Sequence, residues 1–299
     1  MQIFKKNLHA FFKKGSLNKR CNKYFSVTFT KRMKRILFLL MIIFIGCNQS
    51  AKKSSLSRQL TNAKWIDLGH DFSEKTIYWP NNPTGFKLDT QFNGITPGGF
   101  YYSSNSFSSP KHGGTHLDAP VHFAKGKWSV DEIPAEQLIG ETVVIDVTEK
   151  TKSNPDYQII LADIEQWEKQ YDKIPNNAIL LFRTGWSRYY SNTEKYLGTS
   201  EKGPEAVKKL HFPSIHPELA EWLIKNRKIK AVGIDCASVD YGQSADFKTH
   251  QLLYAQNIPG FENLTKLEQL PAKGSFIVAL PMKIKGGTGA PLRIIACIE

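Results

Sequence analysis

Four side chains that could bind a metal or move a proton fall within one short segment, "PKHGGTHLDAPVHF", residues 110–123. They are His112, His116, Asp118 and His122. Zinc and manganese ions accept imidazole and carboxylate ligands, and each ion needs three or four such groups close together. The segment therefore predicts a divalent-metal site whose ligands include His112, His116 and Asp118. The alternative is a chance cluster of structural, hydrogen-bonded histidines.

The residues between these groups favour a loop over a helix. Gly113 and Gly114 weaken a helix, and Pro120 restricts the residue before it to extended conformations. Two glycines also permit the backbone bends by which sequence neighbours can point at one ion. We therefore expect the segment to fold as a loop around the metal.

His122 lies two residues beyond Pro120, and we expect this proline to turn it away from the three ligands. Imidazole titrates near neutral pH, so His122 could exchange a proton with water or with a leaving group. The sequence therefore predicts that His122 is a general acid/base, with a structural role as the alternative. A proton-transfer residue is useful to a hydrolase and useless to a protein that only binds metal.

Short apolar runs alternate with amphipathic stretches and turn residues from about residue 64 onward. This pattern predicts one α/β domain over residues 64–299. The predicted strands are Trp65–Leu68, Phe100–Phe107, Thr142–Val147, Ala178–Phe182, Ala231–Ile234, Phe276–Leu280 and Arg293–Ile298. The predicted helices are Ala162–Tyr171, Pro217–Asn226 and a third that Asp246 caps and that runs to about Gln256.

The net charge of +13 is concentrated at one end of the chain. Residues 1–35 hold eleven of the 40 lysines and arginines and none of the acidic residues, so the rest is nearly neutral. A nucleic-acid-binding domain should carry its basic charge on its folded surface. We therefore expect no nucleic-acid partner.

Residues 36–46 form an apolar run that directly follows Lys34 and Arg35 and ends at Cys47. The run is too short to span a bilayer comfortably and has the pattern of a secretory signal. Its end resembles the lipobox of bacterial lipoproteins, which implies lipidation of Cys47, export and a membrane anchor. An uncleaved membrane anchor is the alternative. We interpret residues 1–32 as a non-native or basic extension, 33–47 as the signal and 48–63 as a polar tether.

The segment "HGGTHLDAPVHF" closely resembles the HxGTHxDxPxH signature of the cyclase-like metal-dependent hydrolases, which include bacterial kynurenine formamidase and isatin hydrolase. The resemblance extends through "WIDLGHDFSEKTIYWP" and "THQLLYAQNIPGFENLTKLEQLP". It implies a swivelling β/β/α-type fold with a mixed central sheet and flanking helices. It also implies a homo-oligomer.

The resemblance implies a second set of site residues. Asp118 would bridge to a second metal, His250 would bind that metal, and Glu262 would bridge both ions. Trp79 would lie against the substrate ring, with a place in the hydrophobic core as the alternative. Two ions are therefore expected, most simply Zn²⁺, with Mn²⁺ as the alternative.

The resulting functional prediction is a metal-dependent amide hydrolase in which a metal-activated water attacks and His122 transfers the proton. The resemblance implies an arylformamidase that converts N-formylkynurenine to kynurenine and formate. An isatin hydrolase-like enzyme acting on a cyclic amide or lactone is the first alternative. A non-catalytic metal- or solute-binding lipoprotein is the second.

Overall fold

The computed structural model of the chain describes residues 55–298. The predicted extension, the signal segment and Cys47 lie outside these residues, as does most of the predicted tether. Of the tether, Leu56–Asn62 forms a helix, α1, in which no residue is buried. Within residues 55–298, no helix combines the length and the apolar character needed to cross a membrane.

The strands belong to the compact unit that begins at Gln59. In chain order they are β1 (Lys64–Asp67), β2 (Lys87–Ile95), β3 (Tyr101–Ser108), β4 (His116–Asp118), β5 (Ile139–Asp146), β6 (Gln158–Ile159), β7 (Ala178–Arg183), β8 (Ser214–Ile215), β9 (Ile229–Ile234), β10 (Gly260–Glu262), β11 (Lys273–Pro281) and β12 (Gly289–Ile298). After α1, the helices are α2 (Thr148–Ser153), α3 (Leu161–Tyr171), α4 (Thr193–Leu197), α5 (Pro204–Val207), α6 (Pro217–Asn226) and α7 (Lys248–Tyr254).

Eight strands form one mixed sheet in the order β1-β12-β11-β5-β7-β9-β10-β4. The pairs β5–β7, β7–β9 and β9–β10 are parallel, and the other pairs of this sheet are antiparallel. The last strand, β4, also pairs with β12, so the sheet closes on itself. The α/β fold with a mixed central sheet is therefore confirmed.

Alternate residues of the central strands enter two separate hydrophobic cores. On β5, Val143 and Ile145 pack in one core, and Val144 packs in the other. Because successive side chains of a strand point to opposite faces, a strand covered on both faces must be apolar throughout. This explains the uninterrupted apolar run of β7, "AILLF", in which every residue is buried.

The remaining strands make two small sheets. β2 and β3 pair only with each other as an antiparallel ribbon, and β6 pairs with β8. The predicted strand Phe100–Phe107 is therefore a strand, although it is not part of the central sheet. β2 was not predicted, since its "KLDTQFNGI" lacks a continuous apolar face.

The helix predictions hold except for one cap. α3 and α6 match their predicted ranges to within one residue. α7 lies within the predicted third helix and ends at Tyr254, and its N-cap position is Phe247, where no side chain caps it. Asp246 accepts a hydrogen bond from Ser244 instead, and the carboxylate of Asp240 accepts the backbone N–H groups inside the first turn. The prediction that Asp246 caps this helix is wrong.

Candidate metal centre and active site

The site is built where two short, fully buried strands meet. β4 carries His116 and Asp118, and its antiparallel pairing with β10 places His116 opposite Glu262. Residues two apart on a strand point to the same face. The pairing therefore brings two candidate ligands from one strand together with the third from its neighbour.

The two glycines before β4 are required by their surroundings. Gly113 has a φ of 153°, and a Cβ there would lie 2.1 Å from Cδ1 of Tyr78, with which Gly113 forms a β-bridge. Gly114 has a φ of 59°, and its Cβ would lie 2.8 Å from the ring of Phe72. The prediction of a loop rather than a helix is confirmed. Glycine is needed at both positions for two reasons: the backbone has a positive φ, and an aromatic ring packs against it too closely for a Cβ.

His116 faces both carboxylates through one ring nitrogen. Its Nε2 lies 3.1 Å from Oδ1 of Asp118 and 3.5 Å from Oε2 of Glu262. Its other nitrogen, Nδ1, lies 3.0 Å from the carbonyl oxygen of Gly114, an acceptor that requires the proton on Nδ1. The lone pair of Nε2 is therefore left facing the two carboxylates.

His250, on α7, repeats this arrangement. Its Nε2 lies 3.3 Å from an oxygen of Asp118 and 3.3 Å from an oxygen of Glu262. Its Nδ1 lies 2.5 Å from Oδ2 of Asp240, whose carboxylate also accepts the backbone N–H of His250. A carboxylate on the second nitrogen fixes the tautomer and orientation of a metal-binding histidine.

His112 reaches Asp118 from the other side. Its Nδ1 lies 2.6 Å from Oδ1 of Asp118, and its Nε2 lies 2.9 Å from the hydroxyl of Thr288. The ring of His122 stacks on the ring of His112, with centroids 3.9 Å apart. The expectation that Pro120 turns His122 away is wrong, because residues 120–122 form a 3₁₀ turn that brings the chain back.

The chemistry of this donor set fits a divalent cation. Two imidazole lone pairs face two carboxylates, and oxygens and lone pairs at such distances repel unless a cation or protons lie between them. Two groups have ligand atoms within 4.8 Å of one another: His112, Asp118 and His122, and His116, Asp118 and Glu262. They share Asp118, so this carboxylate is placed where it could serve two ions.

The protonation behaviour also indicates a site for positive charge. Burial would raise the pKa of Asp118, yet His112 and His116 hold it well below its usual range. Burial would lower the pKa of His116, but Asp118 and Glu262 raise it to about 9. Hydrogen bonds to carboxylates likewise raise the pKa of His250 against the effect of burial. The carboxylates therefore attract cations strongly, and a divalent ion would displace the protons.

His122 differs from the buried ligands because its environment disfavours the charged form. Burial lowers its pKa to about 4, and the neighbouring histidines add to this effect while Asp118 opposes it. The ring is neutral at pH 7 and can accept a proton. Its geometry suits a proton-transfer role and a ligand role alike, so the acid/base assignment stays a prediction.

One cavity of about 280 Å³ joins these groups. All seven site residues predicted within residues 55–298 line it: Trp79, His112, His116, Asp118, His122, His250 and Glu262. Its apolar wall is aromatic, with Phe123 and Phe247 5.3 Å apart and Trp79 6.3 Å from Phe247, measured between ring centroids. A flat ring could bind against this wall. The contact of Trp79 with substrate stays a prediction.

Two supporting residues were not among the predicted site residues. Asp240 orients His250, and the hydroxyl of Tyr254 donates to Oδ2 of Asp118 at 3.1 Å. Asp240 follows the parallel strand β9, where α/β enzymes commonly place functional groups, and that position was the available signal. Tyr254 carried no signal, since its place one turn after His250 also suits a core residue.

The chain is similar to known proteins in sequence and in structure. The Cyclase family model matches residues 66–241. The isatin hydrolase of Roseibium aggregatum is 32% identical over 67% of this chain and 76% of its own length. The kynurenine formamidase of Salinibacter ruber is 26% identical over 77% of this chain and 95% of its own. The structure of isatin hydrolase A from Ralstonia solanacearum superposes with a TM-score of 0.71 at 32% identity, covering 82% of this chain and 94% of that one.

These matches and the buried His, Asp and Glu cluster define a metal-dependent amidohydrolase with an α/β fold. The chain belongs to the Cyclase family. The enzyme prediction is therefore confirmed, and the non-catalytic binding alternative is set aside.

Proposed function

We propose that the chain hydrolyses the amide bond of a small, neutral, aromatic lactam of the isatin type. An aryl formamide such as N-formylkynurenine is the second candidate, favoured by the similarity to kynurenine formamidases. The sequence placed these two substrates in the opposite order. We reverse this order because of the residues that line the cavity.

The preference for isatin over N-formylkynurenine rests on the charge of the cavity wall. Among the described residues that line the cavity there is no lysine or arginine. N-formylkynurenine is an amino acid, and its carboxylate would enter a pocket that already holds Asp118 and Glu262 without a cationic side chain to pair with. Isatin carries no such charge, and its fused ring suits the wall of Trp79, Phe123 and Phe247.

Three sets of residues would bind the metal, transfer the proton and hold the substrate. His112, His116, Asp118, His250 and Glu262 would hold the metal, which when bound polarises the carbonyl and makes water more acidic. His122, neutral at pH 7, would accept the proton of the attacking water and deliver it to the departing nitrogen. The aromatic wall would hold the ring and keep bulk water from the reacting bond.

The substrate order is tested by comparing kcat/KM for isatin and for N-formylkynurenine on the zinc-loaded chain. We expect isatin to be preferred, and Trp79→Leu to raise KM for isatin. Trp65, 42% exposed and outside the cavity, supplies the matched control Trp65→Leu. A preference for N-formylkynurenine would instead assign the chain to the formamidases.

We propose two divalent ions at the site, Zn²⁺ or Mn²⁺, because Asp118 faces His112 and His116 through one oxygen and His250 through the other. Both metals accept this set of imidazole and carboxylate ligands. Metal analysis after chelation and reloading measures the number bound. One ion per chain at saturation would contradict the proposal.

We also propose that the chain forms a homo-oligomer through the β2–β3 ribbon. An isolated two-stranded ribbon is marginally stable in water, yet this one exposes Leu88, Ile95, Phe100, Tyr101, Tyr102 and Phe107. Its charged residues, Lys87 and Asp89, pair with each other at 2.5 Å and leave no net charge. A second copy of the ribbon would match this surface. Light scattering on the wild type and on Ile95→Lys tests it, and a wild-type monomer would contradict it.

Export and anchoring through a lipidated Cys47 stay a proposal from the sequence. The support is the basic segment and apolar run that precede this cysteine. Mass spectrometry of the N-terminal peptide, compared with Cys47→Ser, would detect the lipid. An unmodified Cys47 in membrane fractions would contradict it.

A further inference from the structure

Asn263 directly follows the candidate ligand Glu262 and lines the same cavity. It is 3% exposed and has a left-handed φ of 56°. Its backbone N–H donates to the carbonyl of Cys236 at 2.9 Å, and its carbonyl accepts from the hydroxyl of Thr115 at 2.7 Å. These two hydrogen bonds fix the backbone of Asn263, and with it the position from which its side chain extends toward the cavity.

The orientation of the amide is set by Tyr196. The hydroxyl of Tyr196 lies 2.8 Å from Oδ1 of Asn263, and the tyrosine is completely buried. Among the described residues the hydroxyl of Tyr196 makes no other hydrogen bond. Its buried O–H group therefore has a partner only if it donates to Oδ1 of Asn263. Burial raises the pKa of Tyr196 well above its usual value, so the hydroxyl stays a donor.

The amide nitrogen of Asn263 is then the group left for the cavity. Within residues 55–298, Nδ2 makes no hydrogen bond, although every other polar group of this residue has a partner. Nδ2 has no hydrogen-bond partner among these residues and is not sealed from solvent, so it is accessible from the cavity. A buried N–H group that is held in place and faces a cavity is a binding group for an oxygen atom.

We propose that Asn263 is a catalytic residue whose Nδ2–H donates a hydrogen bond to the carbonyl oxygen of the amide being hydrolysed. This rests on the proposed function. As His122 removes a proton from the water and the water oxygen bonds to the carbonyl carbon, the C=O π electrons move onto the carbonyl oxygen. When the C=O bond re-forms, the C–N bond breaks, its electron pair stays on the nitrogen, and the nitrogen takes the proton that His122 removed from the water.

A neutral amide suits this position better than a charged donor would. Asp118 and Glu262 already line the cavity, and a lysine there would form an ion pair with them instead of remaining free for substrate. An asparagine held by Tyr196 needs no reorganisation when charge develops on the substrate oxygen. Preorganised donors of this kind stabilise the transition state more than the ground state.

The kinetic test uses Asn263→Ala, Asn263→Asp and Tyr196→Phe on the full chain loaded with zinc. We expect Asn263→Ala to lower kcat about 100-fold with KM and bound zinc nearly unchanged. Asn263→Asp should lose at least as much, and Tyr196→Phe less, because the amide is then free to rotate. Asn177→Ala is the matched control, since Asn177 is also left-handed, with a φ of 64°, but exposed and outside the cavity.

A second readout needs no turnover. In zinc-loaded protein the side-chain amide protons of Asn263, assigned by their loss in Asn263→Asp, should exchange quickly with solvent in NMR spectra. Protected protons that become exchangeable in Tyr196→Phe would mean that Nδ2 bonds to Tyr196, and this would overturn the proposal. Wild-type kcat in Asn263→Ala would overturn it as well. If the wild type hydrolyses neither substrate, the proposed function fails and the NMR result decides the orientation of Asn263.

Discussion

Nδ1 of His250 lies 2.5 Å from Oδ2 of Asp240, and the same carboxylate accepts backbone N–H groups at the start of α7. One side chain thus fixes both the helix that carries His250 and the tautomer of its ring. We predict that Asp240→Asn weakens zinc binding about 10- to 100-fold, as expected for loss of a partner that orients a ligand. Competition with a chromophoric chelator measures the affinity.

The control for this prediction is Asp246→Asn, because Asp246 lies near the same helix without contacting His250. Its zinc affinity should match that of the wild type. Equal affinity of Asp240→Asn and the wild type would show that the ring of His250 is oriented without this carboxylate.

The sequence predicted the central part of the fold because buried parallel strands leave a clear pattern. A strand such as β7 is covered on both faces and must be apolar throughout. Three of the candidate ligands were also predictable, since His112, His116 and Asp118 lie within seven consecutive residues. Their spacing and their glycines are local properties of the chain.

The rest depended on contacts between distant segments. His250 and Glu262 were placed by resemblance. Glu262 lies near Asp118 because β4 pairs with β10, whereas His250 reaches Asp118 from α7. β4 is three residues long and polar at two of them, so it could not be predicted as a strand. The position of His122 was wrong because Pro120 was expected to turn the chain away from the ligands, although proline also suits the first residue of a helical turn that brings the chain back.

Gly113→Ala should damage the site more than an ordinary glycine substitution. The new Cβ would overlap the ring of Tyr78, at 2.1 Å from Cδ1, so either the ring or the ligand loop must move. We predict loss of stability well beyond about 1 kcal/mol, together with weaker zinc binding. Urea unfolding of the metal-free protein and zinc titration measure the two effects.

Gly126→Ala is the control for Gly113→Ala. Gly126 also has a positive φ, 79°, but nothing lies within 4 Å of the added Cβ. It should lose about 1 kcal/mol and bind zinc normally. Similar losses in both variants would mean that Tyr78 moves aside without cost.

His70 should make the metal-free protein sensitive to acid. Burial lowers its pKa to about 4, against the effect of Asp71, whereas the unfolded chain titrates near 6.5. The unfolded state therefore binds the extra proton between these values, and stability falls as the pH drops from 6.5 toward 4. His70→Phe keeps a ring to stack on Tyr190 but cannot be protonated.

We predict that the wild type loses about 2–3 kcal/mol more than His70→Phe between pH 7 and pH 4. Urea unfolding at several pH values, with chelator present, measures the difference. Parallel pH dependences in the two proteins would contradict the prediction.

The most direct test of the account is hydrolysis of isatin by the wild type and by His122→Gln, each assayed metal-free and after loading with Zn²⁺ or Mn²⁺. We predict that turnover requires the metal and that His122→Gln lowers kcat at least about 100-fold while binding as much metal as the wild type. Metal binding with no turnover above the metal-free protein, on isatin or on a wider set of amides, would contradict the account. A loss of metal in His122→Gln would make His122 a ligand instead of the acid/base.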